Sequence, residues 1–371
     1  MRFAQRLLAL QCLATAALAF LTSQTPLQAP AHATLNHNIS ATLFAELEEL
    51  ARIVDISYCV GVAGLGITKP FQCASRCNEF PDFELVNSWN TGPLLSDSCG
   101  YIALSHSSSE PRIILAFRGT YSLTNTIVDL STVPQEYVPY PGSDDDGDGK
   151  DGAPDAKPPR CMNCTVHTGF YQSWINTRDM ILSDVAAAIK KHPDYKLTLV
   201  GHSLGGAVAA LAALDFKARG WDPQVTTFGE PRIGNEGLVR YIDARFNVGE
   251  NTTVRNDTDI RFRRITHAAD PVPLLPLEEW GYHMHGGEIF IDKADLPPSV
   301  ADIRICSADE DPDCIAGDDP AAWVPARFKL WQLFWAHRDY FWRLGLCVPG
   351  GDPWDWKGRY PSAEDQREEE L

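Results

Sequence analysis

Gly201-His202-Ser203-Leu204-Gly205 sets a serine between two glycines, after the apolar run Leu197–Val200 and before the Ala/Leu-rich stretch 207–217. A serine hydroxyl is a weak nucleophile, so it must stand where a base reaches it and a carbonyl can approach. A strand that turns sharply into a helix lifts the serine onto an exposed elbow and does this. The glycines make room for the close backbone, and the amide of Leu204 is aimed at a developing oxyanion. The bland alternative is a tight turn with an incidental serine. The strand before and the helix after are the context that the nucleophile reading requires.

Such a serine needs a base, and the base needs an orienting acid. In sheet enzymes with this elbow, the acid and then the histidine follow the nucleophile along the chain. Asp270, in Thr266-His267-Ala268-Ala269-Asp270-Pro271, lies a few residues past an expected strand, at the sheet edge where a cleft forms. That order excludes His267, which precedes the acid, and leaves His283, His285 and His337. His283 and His285 fall in a Gly/Tyr/His turn as surface or wall residues. His337 falls in the late aromatic segment 333–341, where a packed core histidine is the competing reading. A second oxyanion donor is expected from the Thr120 amide, because Gly119 lets the chain close over the nucleophile after the strand 113–117.

The elements that must position these groups alternate. Helical spacing of apolar residues runs over 43–60, strands are expected at 102–105 and 113–117, and a long amphipathic helix covers 170–191 before His192-Pro193. Then come strand 197–200, helix 207–217, and strands at 225–228, 261–266 and 288–291. This pattern predicts an α/β fold with a mainly parallel sheet covered on both faces. Two stretches stand outside it: the Asp/Gly/Pro-rich insertion 139–159 and the acidic tail 350–371.

Composition points to export. Arg2 and Arg6 precede the apolar stretch 7–21, and Ala31-His32-Ala33 offers a cleavage site, so residues 1–33 are expected to be a signal peptide. Fifteen apolar residues are too few to span a bilayer. The chain holds 32 basic and 49 acidic residues, a formal net charge of −17, and loss of Arg2 and Arg6 with no acid deepens it by two. That balance argues against nucleic acid and anionic lipid, whereas a neutral ester would not be repelled. Asn38, Asn163, Asn251 and Asn256 begin glycosylation sequons. Among the ten cysteines, Cys73/Cys77, Cys161/Cys164 and Cys306/Cys314 read as local disulfide clips, and Cys59/Cys347 as a tie between the domain's ends. Closing so long a loop is worth about 4–5 kcal/mol on the chain-entropy account. The rival arrangement is a zinc site of Cys73, Cys77, Cys161 and Cys164. Cys12 lies in the export segment, and Cys99 is left over as a free buried thiol.

The sequence resembles the class 3 (fungal-type) lipases of the α/β-hydrolase superfamily over about residues 43–348. The likeness is carried by Phe117-Arg118-Gly119-Thr120, the elbow, Thr227-Phe228-Gly229-Glu230-Pro231-Arg232-Ile233-Gly234-Asn235, residues 266–273, residues 281–289 and His337-Arg338-Asp339-Tyr340-Phe341. The resemblance implies the α/β-hydrolase fold with a short helical lid, the four disulfides Cys59–Cys347, Cys73–Cys77, Cys161–Cys164 and Cys306–Cys314, and a triad of Ser203, Asp270 and His337. It further implies an oxyanion hole of the Thr120 and Leu204 amides, and neither a metal nor another cofactor. Thr126 departs from the tryptophan that some relatives place in the lid, and the insertion 139–159 is a second departure.

The resemblance leaves the ester open. Leu123, Ile127 and Leu130 give the lid one apolar face that an oil–water interface would cover. This favours a secreted triacylglycerol lipase, acting as a monomer at lipid–water interfaces, over a feruloyl- or cutin-type esterase or a phospholipase A1. A catalytically silent binding protein on the same fold is the reading from another class. Asp144, Asp146, Asp148 and Asp155 also match a calcium-loop spacing, but Pro154 and the lack of flanking helix formers favour a solvated acidic loop.

Overall fold

The computed structural model describes residues 38–61, 66–92, 98–120, 134–140, 161–249, 257–307, 309–317 and 335–348. The export segment, the lid 121–130, the calcium-like loop 144–155 and the acidic tail lie outside these residues. Strands form where β-branched and aromatic residues cluster: β1 Phe83–Asn90, β2 Cys99–Ser105, β3 Arg112–Arg118, β4 Pro134–Glu136, β5 Thr165–His167 and β6 Lys196–His202. They continue with β7 Gln224–Phe228, β8 Phe262–His267, β9 Glu288–Ile291, β10 Ile303–Ile305, β11 Asp339–Tyr340 and β12 Trp342–Arg343.

Eight strands make one sheet in the order β1-β2-β3-β6-β7-β8-β9-β10. The segment β3-β6-β7-β8-β9 is parallel, and the edges β1-β2-β3 and β9-β10 are antiparallel. The unbroken apolar run Ile113–Phe117 belongs to β3 and is buried throughout, as a strand covered on both faces should be. Because β3, β6, β7 and β8 run the same way, their C-terminal ends bring residues 118–120, 203, 229 and 268–270 to one edge.

Helices cover both faces. Helix α1 (Ala41–Ile56) starts at Ser40, whose hydroxyl accepts from the Leu43 amide, and it buries Leu43, Leu47, Leu50 and Val54 at helical spacing. On the other face lie α2 (Thr168–Lys191), α3 (Leu204–Ala218) and α4 (Glu236–Phe246). Residues 204–216 of α3 are all buried, and their small side chains let the helix sit close beneath the sheet. The long helix α2 stops at His192, where Pro193 withholds the next amide. All four implied disulfides are formed, and Cys99 is buried outside them, its thiol donating to Asn90 Oδ1 at 3.1 Å. The zinc reading is thereby excluded, since its four thiols are consumed in pairs.

Candidate active site

The elbow has the backbone its role requires. β6 ends at His202, α3 begins at Leu204, and Ser203 between them has φ 58° and ψ −130°. A non-glycine residue at positive φ is strained and persists only where its surroundings fix it. Here the Ser203 amide donates to the Phe228 carbonyl at 2.9 Å, and the Gly206 amide donates to the Ser203 carbonyl at 2.8 Å. The flanking glycines are steric necessities. A Cβ on Gly201 would lie 2.3 Å from the Gly205 carbonyl oxygen, and one on Gly205 would lie 2.3 Å from that of Phe117. Leu204 is the first residue of α3, and the first amides of a helix have no partner within it.

His337 reaches the same edge from the far end of the chain. Its Nδ1 lies 2.9 and 3.0 Å from the two carboxylate oxygens of Asp270. Both residues are buried. Asp270 also accepts the Tyr340 hydroxyl at 2.5 Å and the Val272 amide at 2.9 Å. Burial is the largest influence on this carboxyl and opposes its charge. The attraction and hydrogen bond of His337, with the bonds from Tyr340 and Val272, outweigh it and hold the carboxyl below its usual range. A carboxylate on Nδ1 fixes the proton there and leaves Nε2 as the free lone pair. That Nε2 is buried and has no hydrogen-bond partner among the described residues.

Two glycines draw the set together. A Cβ on Gly229 would lie 2.9 Å from His337 Cε1 and 3.0 Å from Asp270 Oδ2. One on Gly119 would lie 2.8 Å from the Ser203 Cβ and 2.5 Å from the Tyr58 hydroxyl. Gly229 thus packs against Asp270 and His337, and Gly119, at the strand end bearing Thr120, packs against Ser203. His283 instead faces Glu310 at 3.3 Å and His285 faces Glu230 at 3.2 Å, so neither competes for Asp270.

Sequence reasoning missed two members of this site. The Tyr58 hydroxyl donates to His202 Nδ1 at 2.5 Å, and His202 Nε2–H donates to the His337 carbonyl at 2.8 Å. Burial first, and then the charge of His337, push the His202 imidazole well below its ordinary range and keep it neutral. Burial likewise pushes the Tyr58 phenol up, and its oxygen accepts the Gly119 amide. A chain of hydrogen bonds therefore runs from Gly119, just past β3, through Tyr58 and His202 to the backbone of His337. The signal was present in the histidine beside Ser203, but Tyr58 lies 144 positions away and nothing in the sequence pairs them.

Known proteins bear the same frame. The model of the class 3 lipase family matches residues 114–280, from β3 through the turn at Ser203 to beyond Asp270. The secreted mono- and diacylglycerol lipase 2 of Gibberella zeae is 53% identical, with 89% of this chain and 88% of that protein aligned. Lipase A of Sodiomyces alcalophilus is 50% identical over 96% and 94% of the two chains. Among solved structures, the Lip2 lipase of Yarrowia lipolytica superposes with a TM-score of 0.70 at 32% identity, covering 84% of this chain and 97% of that one. An elbow serine, a parallel sheet presenting it and likeness along nearly the whole chain lead to one assignment: the chain belongs to the class 3 lipases of the α/β-hydrolase superfamily and is a carboxylic ester hydrolase.

Proposed function

We propose that this secreted lipase hydrolyses acylglycerols at lipid–water interfaces, as a monomer, with Ser203 as nucleophile, His337 as base and Asp270 as the orienting acid. The observation that carries this reading is the His337 ring, bound through Nδ1 by both oxygens of Asp270 and open at Nε2, with its backbone carbonyl held by His202, the residue before the strained Ser203. Nε2 takes the Ser203 proton as Oγ attacks the ester carbonyl, and the C=O electron pair moves onto oxygen. The Leu204 and Thr120 amides bind that oxyanion. Collapse breaks the ester C–O bond, and the imidazolium returns the proton to the departing alcohol. Water then repeats the sequence on the acyl-serine, with the same base, and frees the acid.

Export of this kind agrees with the four disulfides and with removal of residues 1–33, leaving a hydrolase domain over 34–349 and the tail 350–371. The stripe Leu123, Ile127 and Leu130 supports interfacial action, since each such side chain costs roughly 1.5–3 kcal/mol when bared to water. Hydrolysis of tributyrin followed through its solubility limit tests this. The rate is expected to rise sharply as emulsion forms, and to be absent in Ser203→Ala. Smooth saturation below the limit would instead assign an esterase with an open cleft.

A further inference from the structure

Asp55 is a buried carboxylic acid that the reaction does not use. It occupies the last turn of α1, among Ile53, Val54 and Ile56, which are all buried. A negative charge is doubly unfavourable there, because the site is apolar and the C-terminal end of a helix carries partial negative charge. Yet donors from two distant segments converge on it. The Gly345 amide donates to Oδ1 at 2.8 Å, the Ser75 hydroxyl donates to Oδ2 at 3.0 Å, and the Arg76 Nε lies 3.8 Å from Oδ2. Ser75 and Arg76 sit inside the clip Cys73–Cys77, and Arg76 stacks over the Trp342 ring at 4.7 Å.

Gly345 is joined directly to the neighbour of His337. Arg338 donates from Nε to the Leu344 carbonyl at 2.7 Å and from Nη2 to the Gly345 carbonyl, and the Leu344 amide returns a bond to the Arg338 carbonyl at 2.7 Å. Gly345 takes φ 93°, and a Cβ on it would strike the Arg338 guanidinium. The turn 338–345 is therefore rigid, and its fixed point is the carboxyl of Asp55. We propose that Asp55 is a positioning residue for ester hydrolysis, holding through Gly345 and Arg338 the backbone that presents His337. This rests on His337 being the base.

The grip depends on charge. Ionised, Asp55 accepts from Gly345 and Ser75 and attracts Arg76; protonated, it loses the attraction and one acceptor. Burial, against the pull of Arg76 and the bonds from Gly345, Ser75 and Leu346, pushes this carboxyl up to about 6. The other charged and titratable groups around it are Glu79 paired with Arg76, Tyr58 beyond the helix, Tyr101 on β2 and Arg338. Burial keeps both phenols neutral in this range.

Asp55→Asn mimics the protonated state at every pH, and the Cys59–Cys347 disulfide still ties the segment beyond Gly345. The kcat of the wild type on a soluble ester is expected to exceed that of Asp55→Asn by about tenfold at pH 8, as for a sub-ångström misplacement of a catalytic group, with KM little changed. That ratio should fall to one near pH 5. Stability should move oppositely. Because the folded carboxyl is raised, its contribution is complete below pH 4 and is lost as pH rises through 6. The variant should therefore melt higher than wild type at pH 8 and alike at pH 4. A kcat ratio independent of pH, or equal to one throughout, would overturn the proposal. His337→Ala assayed alongside separates the two readings: if it stays active, the assignment of the base fails instead.

Discussion

Asp270→Asn is expected to lower kcat on a soluble ester by about 10⁴, with KM nearly unchanged. The cause lies in the geometry at Nδ1. Both oxygens of Asp270 accept from that nitrogen, so the ring carries its proton there and keeps the Nε2 lone pair free. An asparagine amide has one oxygen and one N–H₂ group. The Val272 amide donates to Oδ1 and the Tyr340 hydroxyl to Oδ2; an amide N–H cannot accept but a hydroxyl can turn, so the asparagine oxygen would take the Oδ1 place and its N–H₂ group the Oδ2 place. The N–H₂ group would then face Nδ1, which must turn to its acceptor form, and Nε2 would carry the proton in the wrong place. The charge that stabilises the imidazolium would also be gone. Stopped assays below the aggregation limit measure the effect, and a loss under tenfold would contradict the role of Asp270. The lowered carboxyl adds a second signature. Its stabilising contribution is present above the unfolded carboxylate range and is lost as pH falls through the folded value. The variant should thus melt lower than wild type at neutral pH, with the gap closing in acid.

His337→Ala should cost more, about 10⁶ in kcat, because among the described residues no other group is placed to take the Ser203 proton. His202 is the nearest imidazole, with ring centroids 4.8 Å apart, but both its nitrogens are engaged, one by Tyr58 and the other by the His337 carbonyl. The alanine keeps that carbonyl, so the bond from His202 survives and the variant should remain folded. Activity is expected to rest on the oxyanion donors alone, a residue readable only in long assays at high enzyme concentration. Near-wild-type turnover would show that another base serves Ser203.

Much of this site was legible because its chemistry leaves local marks. The elbow is contiguous, its glycines answer to contacts under 3 Å, and Asp270 follows β8 by three residues. The order of acid and base then narrowed the histidines, and the family likeness selected His337. What spacing could not give was the support behind these groups. Tyr58 follows the first helix, Asp55 lies in its last turn and Gly345 in the final turn of the described residues, and such pairings are written only in three dimensions. The fold shows the same division. β3 and β6 announced themselves as apolar runs, and helix α2 was cut by Pro193. β1 escaped notice because Asn87 and Ser88 and an irregularity between Leu85 and Asn87 break its alternation. Helix α4 has only eleven residues and three-residue β10 lies at an edge, so neither offers enough periods to stand out. The cap at Asn235, which accepts from the Leu238 amide at 3.1 Å, was the available sign of α4.

The central claim is that Ser203 is the activated nucleophile of an ester hydrolase. Incubation with a p-nitrophenyl alkylphosphonate, followed by peptide mass mapping, tests it most directly. One phosphonyl group per chain on the peptide containing Ser203, formed as activity disappears and absent on the same timescale in His337→Ala, is the expected result. Loss of activity with Ser203 unmodified and the label on another residue would contradict the account.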